Sequence, residues 1–215
     1  MEGLNGLRVK NWQIVSGCER LTEGCDSCPS FWEYLADDRD YSAKFHKERL
    51  VEPLRENKPH RYVVALGSDM FHESVSIENL ESIFEVIRQC PHHFFELTTK
   101  RIERCYTATK EIEWPENCSL GVSIETGEYK WRLNFLKKVA VKFKLISMVP
   151  LLGPMGEINL DGIAMVGVQA ETWGLCRDMK PEWIGEIKSQ CKTQGVIFHQ
   201  ETNILINGEI QCPAQ

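Results

Sequence analysis

The stretch from Phe94 to Ile124, FFELTTKRIERCYTATKEIEWPENCSLGVSI, places an apolar run, a charged helical segment and a second apolar run in succession. Phe94 to Thr98 reads as a strand, Ile102 to Ile112 as a helix and Ser119 to Ile124 as the next strand. A β–α–β unit of this kind needs a crossover and implies parallel pairing. The same alternation extends in both directions. Upstream, Asn11 to Val15 predicts a first strand, Tyr62 to Leu66 a second, and Ile77 to Arg88 a helix whose Ile77, Leu80, Phe84 and Ile87 recur at helical spacing. Ser76 stands where an N-cap belongs. Between the first two strands, a helix-like stretch runs brokenly from Phe31 to Leu54. Downstream, Tyr129 to Val139 predicts a helix, Lys144 to Met148 and Ile163 to Val168 strands, Trp183 to Cys191 a helix entered through Pro181, and Val196 to His199 a last strand. Right-handed crossovers put every strand C-terminus at one rim. The expected fold is therefore α/β, a partial (βα)6-type barrel of mostly parallel strands with outer helices, and its chemistry belongs on that rim.

A chain of 215 residues with 42% hydrophobic and 26% charged residues has the composition of one ordinary globular domain, expected to span residues 1–215 with an extension from about 200. The longest apolar runs, such as Leu145 to Leu152, are far too short to cross a bilayer as helices. Met1-Glu2-Gly3 opens without a basic region or apolar core, so a cytoplasmic protein is expected. A net charge of −6 excludes a surface wholly committed to coating nucleic acid, though Lys100, Arg101 and Arg104 leave room for a local basic groove.

Nine cysteines in a reducing compartment point to metal binding or burial more than to disulfides. Three of them, Cys18, Cys25 and Cys28, fall in one Gly-containing loop spanning residues 16–30. Spacing alone leaves three readings open. They are an iron–sulfur cluster with one iron left open, a zinc site completed by a histidine, and inert buried thiols. Position after the first strand of a βα fold favours the cluster. Three cysteine ligands on a [4Fe-4S] cluster leave a corner at which S-adenosylmethionine (SAM) is chelated, with an external electron donor reducing the cluster. The remaining cysteines, Cys90, Cys105, Cys118, Cys176, Cys191 and Cys212, read mostly as packed small groups, with Cys176 the one placed to act as a thiol donor on the rim.

Several segments carry a resemblance along most of the chain. They are Asn11-Trp12 with Gly17-Cys18, Gly24-Cys25-Asp26-Ser27-Cys28, Asp69-Met70-Phe71-His72-Glu73, Leu97-Thr98-Thr99-Lys100-Arg101, Gly121-Val122-Ser123-Ile124-Glu125 and Pro150-Leu151-Leu152-Gly153-Pro154. In these the sequence resembles the phage Gp37/Gp68-like, DUF5131-type family, a group with a radical SAM-like three-cysteine motif. It departs from that pattern at Val149, at Gly167 to Glu171, and at Pro29, where an aromatic is usual.

The resemblance implies roles for particular residues. Cys18, Cys25 and Cys28 would be the cluster ligands. Gly67, Ser68 and Asp69 would hold the SAM amino group, while Ser123, Glu125 and Gln169 would meet its ribose and carboxylate surroundings. Lys100 and Arg101 would receive the SAM carboxylate or a substrate phosphate. His72, with Glu73, would serve proton transfer. The implied activity is radical chemistry, an isomerisation or rearrangement, on a substrate such as a modified thymine or other nucleobase of phage DNA, presented extruded or single-stranded in the host cytoplasm. The reading from a different class is a zinc-binding, non-catalytic module that engages nucleic acid or protein.

Overall fold

Seven parallel strands follow one another in a single sheet, each beside its predecessor in the chain. The structure is a computed structural model that describes residues 6–200. Its main-sheet strands are β1 (Arg8–Trp12), β4 (His60–Val64), β5 (Phe94–Thr99), β6 (Cys118–Ser123), β7 (Phe143–Met148), β8 (Met165–Val168) and β9 (Ile197–Gln200). Two short strands, β2 (Val15–Ser16) and β3 (Lys44–Phe45), form a separate antiparallel ribbon. The helices are α1 (Pro29–Ala36), α2 (Ile77–Gln89), α3 (Ile102–Ala108), α4 (Arg132–Leu136) and α5 (Pro181–Thr193). The sheet curls into a half-barrel and stays open, with β1 and β9 at its two edges. The expected C-terminal extension, Glu201 and Cys212 lie outside the described residues.

Side-chain alternation along the strands divides the molecule into two layers. Trp12, Tyr62, Val64, Phe95, Leu97, Leu120, Val122, Ile146, Met148, Val166 and Val168 are buried on the helix-covered face. Helix α2 contributes Leu80, Ile83, Phe84 and Ile87 to this core, and Phe84 meets Trp114 edge-on with ring centroids 4.8 Å apart. The opposite, concave face carries rows set by the parallel register. One row joins Asn11, Val63, Glu96, Ser119 and Phe143, and another nearer the rim joins Ser123, Ser147, Gly167 and His199. The rim row is built from small residues over three successive strands, which leaves space inside the curl.

Most predicted elements are present, with shifted ends. Ser76 caps α2, its Oγ accepting from the Asn79 amide at 3.2 Å. The helix expected over residues 102–112 stops at Ala108, where the Thr109 hydroxyl turns back onto the Cys105 carbonyl at 2.8 Å. The helix expected over 129–139 shortens to α4 after a 3-10 turn at Gly127–Tyr129. The departures are largest before β4. The predicted first strand is two strands, since β1 joins the sheet whereas Val15–Ser16 turns away to pair with Lys44–Phe45. Only Pro29–Ala36 of the broken helical stretch is α-helical, followed by β3 and two 3-10 turns over residues 47–55.

Candidate functional site

The ribbon of β2 and β3 is the stem of an excursion, residues 17–43, that carries the three cysteines over the C-terminal rim. Gly17 opens it with φ 70°, and a Cβ there would lie 2.2 Å from the Ser42 carbonyl oxygen. That crossing is locked by the Cys18 amide donating to the Tyr41 carbonyl at 3.0 Å. Gly24 makes the other close approach, since a Cβ on it would stand 2.6 Å from a Glu125 carboxylate oxygen. Pro29 occupies the first turn of α1, a position that needs no N–H donor. On the far side, the loop after β8 clamps the excursion. Leu175 donates its amide to Ser27 Oγ at 2.9 Å, and Arg177 donates to the Glu23 carbonyl at 2.8 Å while paired with the carboxylate of Glu171.

The result is a cavity of 790 Å³ at the C-terminal ends of the strands, within the range of small-molecule sites. Cys18, Cys25 and Cys28 all line it. So do Gly67, Ser68, Asp69, Lys100, Ser123 and Gln169 among the residues singled out from the sequence, together with Thr98, Ser147 and Trp173. Each sulfur has a polar partner, though the Tyr41 hydroxyl donates its own hydrogen to the Gly67 carbonyl at 3.2 Å. Lys100 Nζ lies 3.3 Å from Cys25 Sγ, Arg101 Nη1 3.7 Å from Cys18 Sγ, and the Tyr41 hydroxyl 3.9 Å from Cys28 Sγ. Burial pushes the Tyr41 phenol well above its ordinary range, and the adjacent sulfurs of Cys28, Cys18 and Cys25 push it the same way. Burial opposes ionisation of Cys25, yet the Lys100 ammonium and the nearby Leu21 and Thr22 groups outweigh it and hold that thiol below its usual value. At Cys18 burial prevails over Arg101 and the thiol is raised.

Behind the cations stand two carboxylates. Glu125 is fully buried, accepts from Thr22 Oγ1 at 2.6 Å and Arg132 Nη1 at 3.2 Å, and pairs with Lys100. Burial works against its charge, but Lys100, Thr22 and Arg132 together keep it ionised below its ordinary range. Asp69 accepts from Thr99 Oγ1, the amides of Phe71 and Lys100, and Arg101 Nη1 at 3.4 Å. Its oxygens organise the turn after β5.

The placement differs from the sequence reading at several residues. His72 does not line the cavity; its Nδ1 takes the Ser74 amide at 3.1 Å in a local turn. Cys176 lies outside the lining as well, and its sulfur is disulfide-bonded. Glu125 sits behind the cavity wall, packed against Gly24 and paired with Lys100 of the lining. Ser68 Oγ is turned back to the Val15 carbonyl at 2.7 Å. Thr22, Tyr41, Arg132 and Arg177 escaped notice because their partners across the site lie 7 to 154 residues away in sequence and no local pattern marks them.

Among the described residues, no three His, Cys, Asp or Glu side chains converge tightly enough to hold a single metal ion. Cys18, Cys25 and Cys28, all free thiols of one loop, line the same cavity.

An open parallel half-barrel with a thiol-lined cavity at its C-terminal rim defines the chain as an α/β protein. The chain belongs to the family described as "Protein of unknown function (DUF5131)", whose model matches residues 8–203. No curated protein and no solved structure matches the chain. No described helix is long and apolar enough to cross a membrane.

Proposed function

We propose that this protein is a radical SAM enzyme whose half-barrel is a partial (βα)6-type barrel and whose Cys18, Cys25 and Cys28 hold a [4Fe-4S] cluster. The observation that carries the reading is that one short loop brings three thiols to the wall of a single cavity at the C-terminal rim, the place where parallel α/β folds put their chemistry. When bound and reduced by an external donor, the cluster supplies the electron that cleaves SAM and starts hydrogen-atom abstraction. This chain's residues hold and enclose. The thiolates bind, the Glu171–Arg177 clamp fixes their loop, and Trp173 and Phe31 add apolar surface to the cavity lining. Ser123, Ser147 and Thr98 hydroxyls and the Gln169 amide offer neutral hydrogen bonds along the wall.

Those neutral donors and acceptors suit an uncharged planar group, and a nucleobase extruded from phage DNA, thymine-derived or otherwise modified, is the substrate class we favour for a radical rearrangement. Oxygen-free reconstitution tests the reading. The expected outcome is about four irons and matching sulfide per chain, loss of both in Cys25→Ala, and 5′-deoxyadenosine on reduction with SAM. One zinc per chain with no iron uptake would overturn it in favour of a zinc-binding interaction module.

A further inference from the structure

We infer that Lys100 and Arg101 tune the reduction potential of the cluster by donating to its cysteine sulfurs, and that they are not cations waiting for a ligand carboxylate or phosphate. The inference rests on the cluster reading above. A lysine ammonium has three hydrogens. At Lys100 all three have an acceptor within the protein: Glu125 Oε1, Thr22 Oγ1 at 2.9 Å and Cys25 Sγ at 3.3 Å. Nothing is left for a bound molecule. Arg101, with a side chain only 7% exposed, divides its guanidinium between Asp69 Oδ2 at 3.4 Å, Cys18 Sγ at 3.7 Å and Glu19 at 3.5 Å.

The two residues are neighbours at the end of β5 and are built alike. Each reaches across to the cysteine excursion, puts a charged donor on one sulfur, and is held from behind by a buried carboxylate. Glu125 is itself fixed by Arg132, whose guanidinium stacks 4.5 Å above the Tyr129 ring. Such fixation gives the donors one orientation. A positive hydrogen-bond donor beside a thiolate stabilises the more negative, reduced state of a cluster, so these contacts raise its potential. Lys100 and Arg101 are positioning residues in this scheme, acting on the ligands and not on substrate.

The test is a redox titration, followed by electron paramagnetic resonance, of reconstituted wild type, Lys100→Met, Lys100→Arg and Arg101→Gln. Lys100→Met should load iron and sulfide as wild type does and show a midpoint potential more negative by about 59 mV, a tenfold change in a one-electron equilibrium. Lys100→Arg, which keeps a charged donor, should return most of that shift, and Arg101→Gln should lower the potential independently. Loaded variants with the wild-type potential would overturn the inference while leaving the cluster reading intact. Failure of wild type to load iron would overturn both. If Lys100→Met does not load, Lys100→Arg and Arg101→Gln carry the decision, and unshifted potentials in both overturn the proposal.

Discussion

Gly17 is the residue on which the cysteine excursion turns, because its positive φ and its contact with the Ser42 carbonyl act together. An alanine there would meet backbone, which cannot step aside as a flexible side-chain end can. Gly17→Ala is expected to lose roughly 2 kcal/mol or more of stability in urea denaturation, and to lower iron uptake with it. Retention of wild-type stability would mean that the excursion leaves the ribbon by another path. Residue identity in this loop was readable from the sequence, since three cysteines at that spacing stand out. The groups behind them were not: Tyr41, beside Cys28, falls in a stretch whose composition reads as helix, and Arg132 acts on Glu125 and touches no cysteine.

At the scale of elements, the junction of α2, β5 and β6 depends on one side chain. Asn117, just before β6, donates its amide to the carbonyls of Ile87, Cys90 and His93 at 3.1, 2.9 and 3.1 Å. It therefore ties off the C-terminal end of α2, where helix carbonyls lack intrahelical partners, and holds the entry into β5. Replacing it by alanine leaves those carbonyls without their donor and is expected to cost about 1–3 kcal/mol, read as a lower denaturation midpoint with an unchanged slope. A neutral result would imply that the α2 end is satisfied by solvent. Helix and strand identities in this region follow from periodicity, as Ile77, Leu80, Phe84 and Ile87 illustrate. Element ends do not, because α3 and α4 are cut short by contacts such as Thr109 to Cys105 that depend on neighbours packed against them.

For the whole molecule, the excursion, the β5 cations and the loop after β8 close one cavity from three separate parts of the chain. A group bound by the folded state alone raises stability by mass action. Reconstitution with iron and sulfide should therefore raise the thermal midpoint of the wild type and leave that of a Cys18→Ala, Cys25→Ala, Cys28→Ala variant unchanged. Equal shifts in both proteins would place the bound metal elsewhere. The described cavity wall also depends on the sheet being open, with small residues Ser123, Ser147 and Gly167 in adjacent register, so its volume is a property of three strands together.

The sequence by itself determined the parallel βα succession and the three thiols of one loop that line the rim cavity. These follow from periodicity and residue type, which act over a few neighbouring positions. Only the tertiary structure decided that the first strand splits, that His72 and Cys176 stand apart from the cavity, and that Lys100 and Arg101 spend their donors on sulfur and carboxylate. Those outcomes rest on hydrogen bonds and ion pairs between residues far apart in the chain, whose geometry exists only once the sheet has curled and the loops have closed over it.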